Sequence, residues 1–224
     1  MNVLIAVLSC RGYETRRESQ RDTWMKDIRE WSGVNVDCRF FLGGQEPRFF
    51  LEQEPSIWSD EVFLACDDRY DALPSKIAAI ARWALDAGYD FIFKCDDDTY
   101  VRPSRLLASG FQGCDYLGFI EDRDCHLRAY PFPVYPHAQG GPGYWLSRKA
   151  MQVVASQLPN IPQEDFAVGE ALARAGIPAS HDERYVHVPE FPQEGVRPDF
   201  ISLHKCDPAE MHRVHEHFQV LLQA

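Results

Sequence analysis

The spacing of apolar and polar positions predicts strands that alternate with helices along the chain. Apolar runs of strand length mark the strands, and the first run is almost uninterrupted, which is typical of a strand buried on both faces of a sheet. Apolar positions three or four residues apart mark the helices. In the first half, strands are predicted at 2–9, 36–42, 62–65 and 91–95, with helices at 13–31 and 74–87. This order is typical of an α/β protein with a mostly parallel central sheet flanked by helices.

The second half of the chain is richer in proline and glycine and less regular. Large aromatic residues continue through it, so the stretch at 130–136 is predicted to be a packed loop rather than a linker. Strands are predicted at 144–147 and 200–204, with helices at 148–157, at 165–175 and from a capping box at 207–210 onward. No internal repeat is found, and the chain is predicted to form one domain.

Composition and charge exclude several classes of protein. Hydrophobic residues make up 45% of the 224 residues and charged residues 25%, which excludes a disordered or low-complexity chain. The formal net charge of −11 argues against non-specific binding to nucleic acid or to anionic membranes. Seven scattered cysteines without a C-x-x-C pair indicate free thiols rather than a zinc site or a disulfide framework.

The same composition gives an expectation about the compartment. No run of about 18 apolar residues predicts a membrane span. Met1 leads into the first strand without a basic leader or a cleavage site. We therefore expect a soluble, cytoplasmic protein.

Three consecutive acids, Asp96, Asp97 and Asp98, follow the strand at 91–95 and are the strongest local anomaly. Like charges this close raise one another's pKa unless a cation neutralises them, and a divalent ion bound by oxygen ligands would do so. The carboxyl end of a strand in an open α/β sheet is also where ligands usually bind. The alternative is that the acids are solvated or cap the next turn.

Two basic residues and a glycine-rich turn are candidates for binding an anionic ligand. Arg17 and Arg21 share the inward face of the first helix, where a guanidinium could hold a diphosphate with two hydrogen bonds. The alternative for them is an ion pair with Glu14 or Glu18. The turn at 140–143 could let the backbone approach a sugar or phosphate closely, or could simply be a tight turn before a strand.

Asp165 and His204 are candidates for catalysis and for metal binding. Asp165 could act as a general base that takes a proton from an attacking hydroxyl. Acids at the start of a helix are also favoured by the helix dipole alone, which gives a structural explanation for Glu164 and Asp165. His204 could ligate a metal through its neutral imidazole, and the alternative is an ordinary histidine beside the core.

Taken together, these features resemble glycosyltransferase family 31, the β-1,3-galactosyltransferase and Fringe group, and in particular its branch similar to core 1 galactosyltransferase. The resemblance rests on blocks that match in order over nearly the whole chain. They are RRESQRDTW at 16–24, YDALPSK at 70–76, FIFKCDDDTYV at 91–101, GGPGYWLS at 140–147, EDFAVG at 164–169 and LHKCDP at 203–208.

The resemblance implies a GT-A fold, with a nucleotide-sugar-binding half at 1–101 and an acceptor-binding, catalytic half at 102–224. It implies an inverting transfer of a hexose from a UDP-sugar to an acceptor hydroxyl, with Mn²⁺ or Mg²⁺ as cofactor. The product would carry a β-linkage, β-1,3 being the first choice. Galactose is the first choice of hexose, followed by N-acetylglucosamine and glucose. The acceptor would be a glycan or another hydroxyl compound, and a modified nucleobase is not excluded.

The resemblance also implies roles for individual residues. Asp98 and His204 would ligate the metal, and Asp165 would be the catalytic base. Asp96 would contact the ribose side of the donor. The remaining residues expected to bind the donor nucleotide-sugar are Arg17, Arg21, Lys76, Asp97 and Gly141.

Departures from the family and two other protein classes are weighed beside this interpretation. Animal family members are typically membrane-anchored Golgi enzymes with disulfides, and the absence of these features favours a microbial or viral source. A phosphatase of the haloacid dehalogenase type also places D-x-D after an apolar strand, but it usually has a small hydroxyl residue where this chain has Tyr100. A non-catalytic sugar-binding module would not need Asp98, Asp165 and His204 together. The oligomeric state stays open.

Overall fold

The computed structural model describes residues 1–29, 34–44, 60–120, 135–187 and 198–223. In these ranges the strands are β1 (Asn2–Leu8), β2 (Asn35–Gly43), β3 (Glu61–Leu64), β4 (Phe91–Asp96), β5 (Tyr100–Val101), β6 (Tyr116–Gly118), β7 (Tyr144–Ser147), β8 (Ser180–His181), β9 (Tyr185–Val186) and β10 (Ser202–Leu203). The α-helices are α1 (Glu14–Asp22), α2 (Trp24–Arg29), α3 (Leu73–Asp86), α4 (Pro103–Leu107), α5 (Arg148–Gln157), α6 (Glu164–Arg174) and α7 (Pro208–Gln223).

The strands form a larger sheet of seven strands, in the order β3-β2-β1-β4-β7-β6-β8, and a smaller sheet in the order β5-β10-β9. β1 pairs in parallel with β2 and β4, and β2 pairs in parallel with β3. β7 runs antiparallel to both of its neighbours, β4 and β6. The prediction of an α/β protein with a mostly parallel central sheet is therefore confirmed.

The apolar pattern of β1 explains its place in the middle of the larger sheet. Every residue of β1 after Asn2 is buried. Because successive side chains of a strand point to opposite faces, Val3, Ile5 and Val7 pack on one face of the sheet and Leu4 and Ala6 on the other. α2, α4 and α7 cover the first face, whereas α3, α5 and α6 cover the second.

The helix predicted at 13–31 is two helices, since the chain leaves the helical conformation at Thr23 (φ −115°, ψ −116°). The Thr23 hydroxyl donates to the Ser19 carbonyl oxygen at 2.6 Å, a local bond that competes with helix continuation. The change of direction places Trp24, Met25 and Ile28 in the core. The apolar spacing identified the buried face correctly but did not predict the break.

The strand predicted at 200–204 is shorter than expected and covers Ser202–Leu203 only. The chain turns at Lys205, which has a left-handed φ of 66°. Beyond this turn the Cys206 amide donates to the Asp98 carbonyl oxygen at 2.8 Å. The turn thus fastens the segment around His204 to the end of β4.

Other expectations concern membrane spans, cysteines and the packed loop. Among the described residues no helix is long and apolar enough to cross a bilayer. The cysteines described by the structure are free thiols: Cys10, Cys38, Cys66, Cys95, Cys114 and Cys206. Cys125 and most of the loop predicted at 130–136 lie outside the described residues.

Phe111 is expected to be important for stability. Its ring is fully buried and stacks on Trp145 with the ring centroids 3.8 Å apart. Phe111→Ala should lower the free energy of unfolding by about 3–5 kcal/mol, because it leaves a cavity in this cluster. Chemical denaturation would measure the loss, with Tyr135→Ala, at an exposed ring, as the control. A loss below about 1 kcal/mol would contradict this packing.

Candidate functional site

The acids singled out in the sequence lie at the carboxyl end of β4, in the middle of the larger sheet. Asp96 ends β4, and Asp97 and Asp98 follow in a turn. His204, just after β10, reaches the same place: its Nε2 lies 3.2 Å from Asp98 Oδ1 and 3.8 Å from Asp96 Oδ2. One ligand atom each from Asp96, Asp98 and His204 falls within 4.8 Å of the other two, a spacing that a single metal ion could bridge.

A cation holds one oxygen of each of the two carboxylates that face His204. Lys94 Nζ donates to Asp96 Oδ1 at 2.9 Å, and Arg16 Nη1 donates to Asp98 Oδ2 at 3.3 Å. The other oxygens, Asp96 Oδ2 and Asp98 Oδ1, are the ones nearest the imidazole of His204. Each acid therefore presents one oxygen to a common point.

Asp97 is buried among different partners. Ser9 Oγ donates to Asp97 Oδ2 at 2.7 Å, and Arg16 Nη1 donates to Asp97 Oδ1 at 2.9 Å. Burial raises the pKa of Asp97 to about 6, although the bonds from Arg16 and Ser9 act in the opposite direction. Since both of its oxygens have protein donors, Asp97 anchors Arg16 instead of joining the group around His204.

Electrostatics favour the ionised form of Asp98. Burial by itself would raise the pKa of Asp98, but the hydrogen bond and charge of His204, together with Arg16, hold it below its ordinary value. Asp98 is thus a carboxylate at neutral pH, the form that a metal ligand requires.

The glycine-rich turn that precedes β7 allows these side chains to come together. A Cβ atom at Gly141 would overlap the His204 imidazole, and one at Gly143, which has a left-handed φ of 100°, would overlap the Phe93 ring. The Gly141 carbonyl oxygen accepts from Thr99 Oγ1 at 2.8 Å, which fixes the turn against the residue after Asp98. Position 141 must therefore lack a side chain, because the His204 ring packs directly against it.

The residues around His204 fit a divalent transition metal. Two carboxylates and one imidazole form a mixed oxygen and nitrogen set, which suits Mn²⁺ better than Ca²⁺, whose protein ligands are oxygens. The glycine at position 141 keeps the imidazole free of steric overlap, and the cations on Asp96 and Asp98 restrict the rotation of both carboxylates. The site thus provides three convergent ligand atoms from two segments far apart in sequence.

Asp165 lies in the first turn of α6, next to the same glycine turn. A Cβ atom at Gly140 would lie 3.7 Å from the Asp165 Cβ, while the next glycine packs on His204. Asp165 is partly exposed, and its Oδ1 accepts from the Phe166 amide at 3.0 Å. The structure therefore brings the predicted base to the edge of the sheet that carries the acids.

Glu164 differs from Asp165 because it is buried and ion-paired. Its Oε2 accepts from Lys94 Nζ at 3.2 Å, and its Oε1 accepts from the Tyr144 hydroxyl. Burial raises the pKa of Glu164, and the charge of Lys94 opposes this. Burial would lower the pKa of Lys94, but Asp96 and Glu164 outweigh it and raise the pKa, so Lys94 stays charged.

Arg17 and Arg21 have carboxylate partners that the sequence did not indicate. Arg17 Nε donates to Glu61 Oε1 at 3.0 Å, and Arg21 binds Asp60 at 2.8 and 3.1 Å and Glu61 at 2.7 Å. These partners are not Glu14 and Glu18, the acids of α1 that the sequence suggested as alternatives. The structure gives both guanidiniums protein carboxylates, and their contact with a donor stays a prediction.

Lys76 is buried between two segments at the carboxyl edge of the sheet. Its Nζ donates to the Ser9 carbonyl oxygen and to Asp68 Oδ1, the latter at 2.6 Å. Ser9 follows β1 and also binds Asp97 through its hydroxyl. Lys76 is therefore close to the acids in the network, although a direct role at the donor stays a prediction.

The sequence reasoning missed Arg16, Lys94 and Tyr70. Arg16 stood inside a recognised block, and Lys94 precedes Asp96 by two residues on the same strand face, a spacing that could have identified it. The Tyr70 side chain is 74% exposed, an unusual state for a large ring. Although the residue as a whole is mostly exposed, desolvation at its hydroxyl raises the pKa of Tyr70, and the charges of Asp165, Asp96 and Glu164 raise it further, so the hydroxyl belongs to the surroundings of the site.

Comparisons with known proteins indicate which family this chain resembles. The family model described as galactosyltransferase matches residues 15–113. The hydroxyproline O-galactosyltransferase GALT2 of Arabidopsis thaliana is 28% identical over 93% of this chain and 34% of its own length. The human UDP-GalNAc:beta-1,3-N-acetylgalactosaminyltransferase 2 is 28% identical over 56% of this chain and 28% of its own length. The chain spans about a third of the length of the first curated relatives that it matches.

A solved structure supports the fold. The chain is similar to a glycosyltransferase involved in the glycosylation of the major capsid of PBCV-1, with a TM-score of 0.56 and 15% identity over 97% of this chain and 100% of the other. At this identity the likeness concerns the fold alone, and the predicted GT-A fold is confirmed.

The expectation of a cytoplasmic protein of microbial or viral origin is wrong. The curated relatives are transferases of plants and animals. Animal members of the family were expected to be membrane-anchored Golgi enzymes. The argument from the first residues also fails, because the relatives extend well beyond the matched region. With this correction, the comparisons confirm the resemblance to glycosyltransferase family 31: residues 15–113 match the galactosyltransferase family model, and the chain has a GT-A fold.

Proposed function

We propose that this protein is a hexosyltransferase that moves a sugar from a UDP-sugar to an acceptor hydroxyl with inversion at the anomeric carbon. The observation that carries the proposal is the convergence of Asp96, Asp98 and His204 beside Asp165, at the carboxyl edge of a GT-A sheet. The similarity to curated galactosyl- and N-acetylgalactosaminyltransferases supports this class of reaction.

Asp98 and His204 would hold the metal, Mn²⁺ or Mg²⁺, and the free oxygen of Asp96 is close enough to be a third ligand or to meet the donor ribose. The bound metal would neutralise negative charge that develops on the leaving diphosphate. Arg16 and Lys94 prepare the site by holding the two carboxylates with one oxygen each directed to His204. This preorganisation reduces the rearrangement needed when the donor binds.

Asp165 would act as the general base. As the acceptor oxygen forms its bond to the anomeric carbon, the bond from that carbon to the diphosphate oxygen breaks and UDP leaves with the bonding electrons. The hydroxyl proton passes to the Asp165 carboxylate. Because attack and departure occur on opposite faces of the sugar in one displacement, an α-linked donor gives a β-linked product. The partial exposure of Asp165 leaves it accessible to an acceptor.

The donor sugar is proposed to be a hexose. Galactose is the first choice, since the plant relative is named a galactosyltransferase and the human relative transfers N-acetylgalactosamine from UDP-GalNAc. N-acetylglucosamine and glucose follow. The β-1,3 linkage is proposed from the same similarity, because it stands in the human relative's name.

The two other classes have less support. In place of the small hydroxyl residue expected in a haloacid dehalogenase phosphatase, Tyr100 is buried in β5. A binding module without turnover would still bind UDP with metal. Release of UDP from a UDP-sugar, or hydrolysis of a phosphate monoester, therefore separates the three classes.

Removing the metal or its ligands should weaken the binding of UDP. We expect UDP to bind the wild type with Mn²⁺ and to bind at least about tenfold more weakly after EDTA, because the diphosphate then meets uncompensated carboxylates. The Asp98→Ala, His204→Ala double variant should behave like the EDTA-treated protein. Isothermal titration would measure both, with Asp86→Ala, His212→Ala, which alters an exposed acid and an exposed histidine, as the control. Equal binding under all conditions would refute the metal site.

Asp165→Asn should separate turnover from binding. We expect turnover of UDP-galactose, with water or an acceptor, to fall by roughly 10²-fold or more because the general base is lost. The affinity for UDP with Mn²⁺ should stay close to that of the wild type. Asp86→Asn, at the exposed end of α3, is the matched control. Wild-type turnover by Asp165→Asn would remove this residue from the role.

Gly141→Ala should weaken the metal site although it replaces none of the proposed ligands. The added methyl group would overlap the His204 ring and displace it from Asp98. We expect Mn²⁺-dependent UDP binding to fall by about 10- to 100-fold, the usual effect of disturbing residues that orient metal ligands. Gly113→Ala, where an added Cβ meets nothing within 4 Å, is the control, and thermal melts of both variants check folding. Unchanged binding in folded Gly141→Ala would contradict the geometry.

A further inference from the structure

Lys94 connects three segments that converge on the site. Its Nζ donates to Asp96 Oδ1 at 2.9 Å, to the Gly140 carbonyl oxygen at 3.0 Å and to Glu164 Oε2 at 3.2 Å. These acceptors belong to the end of β4, the glycine turn and the first turn of α6. An ammonium group has three donors, so all of them are used inside the protein.

Glu164 extends this connection into α6 and β7. Its second oxygen accepts from the Tyr144 hydroxyl, so both carboxylate oxygens are occupied. Asp165, the proposed base, is the next residue in the helix. A continuous series of hydrogen bonds therefore runs from Asp96, beside the metal ligands, through Lys94 to the residue that precedes the base.

The exposure of the two side chains excludes a direct role in the reaction. The Lys94 side chain is 2% exposed and the Glu164 side chain 5%. Neither can take part in proton exchange with an acceptor while Lys94 has no free donor and Glu164 no free oxygen. Their contribution must pass through the groups that they hold.

An ion pair this deeply buried is a poor device for stability alone. Removing two charges from water costs about as much as their attraction returns, and apolar residues of similar volume often serve as well. What the pair adds is direction, because each charge accepts only partners at defined positions. Here the defined positions are an acid of the proposed metal site and the start of the helix that carries the proposed base.

We propose that Lys94, acting through Glu164, is a positioning residue that fixes Asp165 relative to the Asp96, Asp98 and His204 group. This inference rests on the proposed function. The inference goes beyond the proposed function because it assigns the alignment of the base with the donor site to one buried lysine that does not itself contact the substrate.

The test compares Lys94→Met, Glu164→Gln and the double variant. Glu164→Gln should melt only slightly below the wild type, because Lys94 still pairs with Asp96. Lys94→Met should melt at a clearly lower temperature, because it leaves Glu164 buried without its cation. The double variant should recover most of that loss, since no unpaired charge remains in the pair. Turnover should not recover: release of UDP from UDP-galactose, with water as the acceptor, should stay at least about tenfold below wild type in all three. UDP affinity with Mn²⁺ should change by less than about fivefold in Glu164→Gln, which keeps the bond from Lys94 to Asp96, so the effect in that variant lies in turnover.

A matched control lies on the same helix. Glu170 is buried in α6 and pairs with Arg174, away from the glycine turn. Glu170→Gln with Arg174→Met should change stability without lowering the rate of UDP release. This control separates disturbance of α6 in general from loss of the link to Asp96.

The outcomes distinguish this inference from the proposed function. If the wild type binds UDP with Mn²⁺ and releases UDP from UDP-galactose, but the double variant does so at the wild-type rate, the pair serves stability and the inference fails alone. If the UDP affinity of Glu164→Gln falls in parallel with its turnover, the Lys94–Glu164 pair acts on the donor site and not on the base, which also overturns the inference. If the wild type neither binds UDP nor acts on UDP-galactose, the proposed function fails and the inference fails with it.

Discussion

The site depends on the crowding of several like charges at one point of the sheet. Asp96, Asp97, Asp98 and Glu164 gather where β4 ends, and carboxylates at short range in a low dielectric repel one another strongly. The protein offsets this repulsion with two cations placed among the acids, Lys94 and Arg16. These pairings restrict each carboxylate to one orientation. The same electrostatic need that makes the cluster costly therefore makes its geometry specific.

Strand alternation distributes the acids to different partners. Along β4 the side chains of Phe93 and Cys95 pack with the first apolar cluster, and Ile92 packs with the second. Lys94 and Asp96 continue the side of Ile92, which faces α6, whereas Asp97 falls on the side of α1 and meets Arg16. Three consecutive acids, the last of β4 and two of the turn that follows, thus meet different sets of partners, with Arg16 shared by Asp97 and Asp98.

The sequence predicted the parts of the site that depend on local pattern. Apolar periodicity located the strands, and the acids after β4 stood out because three consecutive carboxylates follow a buried apolar strand. His204 and Asp165 were candidates from the residues alone, beside structural alternatives, and the resemblance favoured their roles as metal ligand and base. The partners of Arg17 and Arg21 were missed because Asp60 and Glu61 are some forty residues away in sequence. They come close to α1 once β3 pairs with β2 in the sheet. Local pattern contains no information on such pairs.

The antiparallel strand β7 explains why the glycine turn and the acids belong to one site. Since β7 runs against β4, Tyr144 pairs with Lys94, and the turn before β7 must lie at the end of β4 where the acids are. A Cβ atom at Gly140 would overlap Glu164 and one at Gly141 would overlap His204, so both positions need glycine. A parallel strand at this position would have delivered its end, and not its beginning, to the acids. The single reversal in an otherwise parallel central sheet therefore places a side-chain-free turn between the proposed metal ligands and the proposed base.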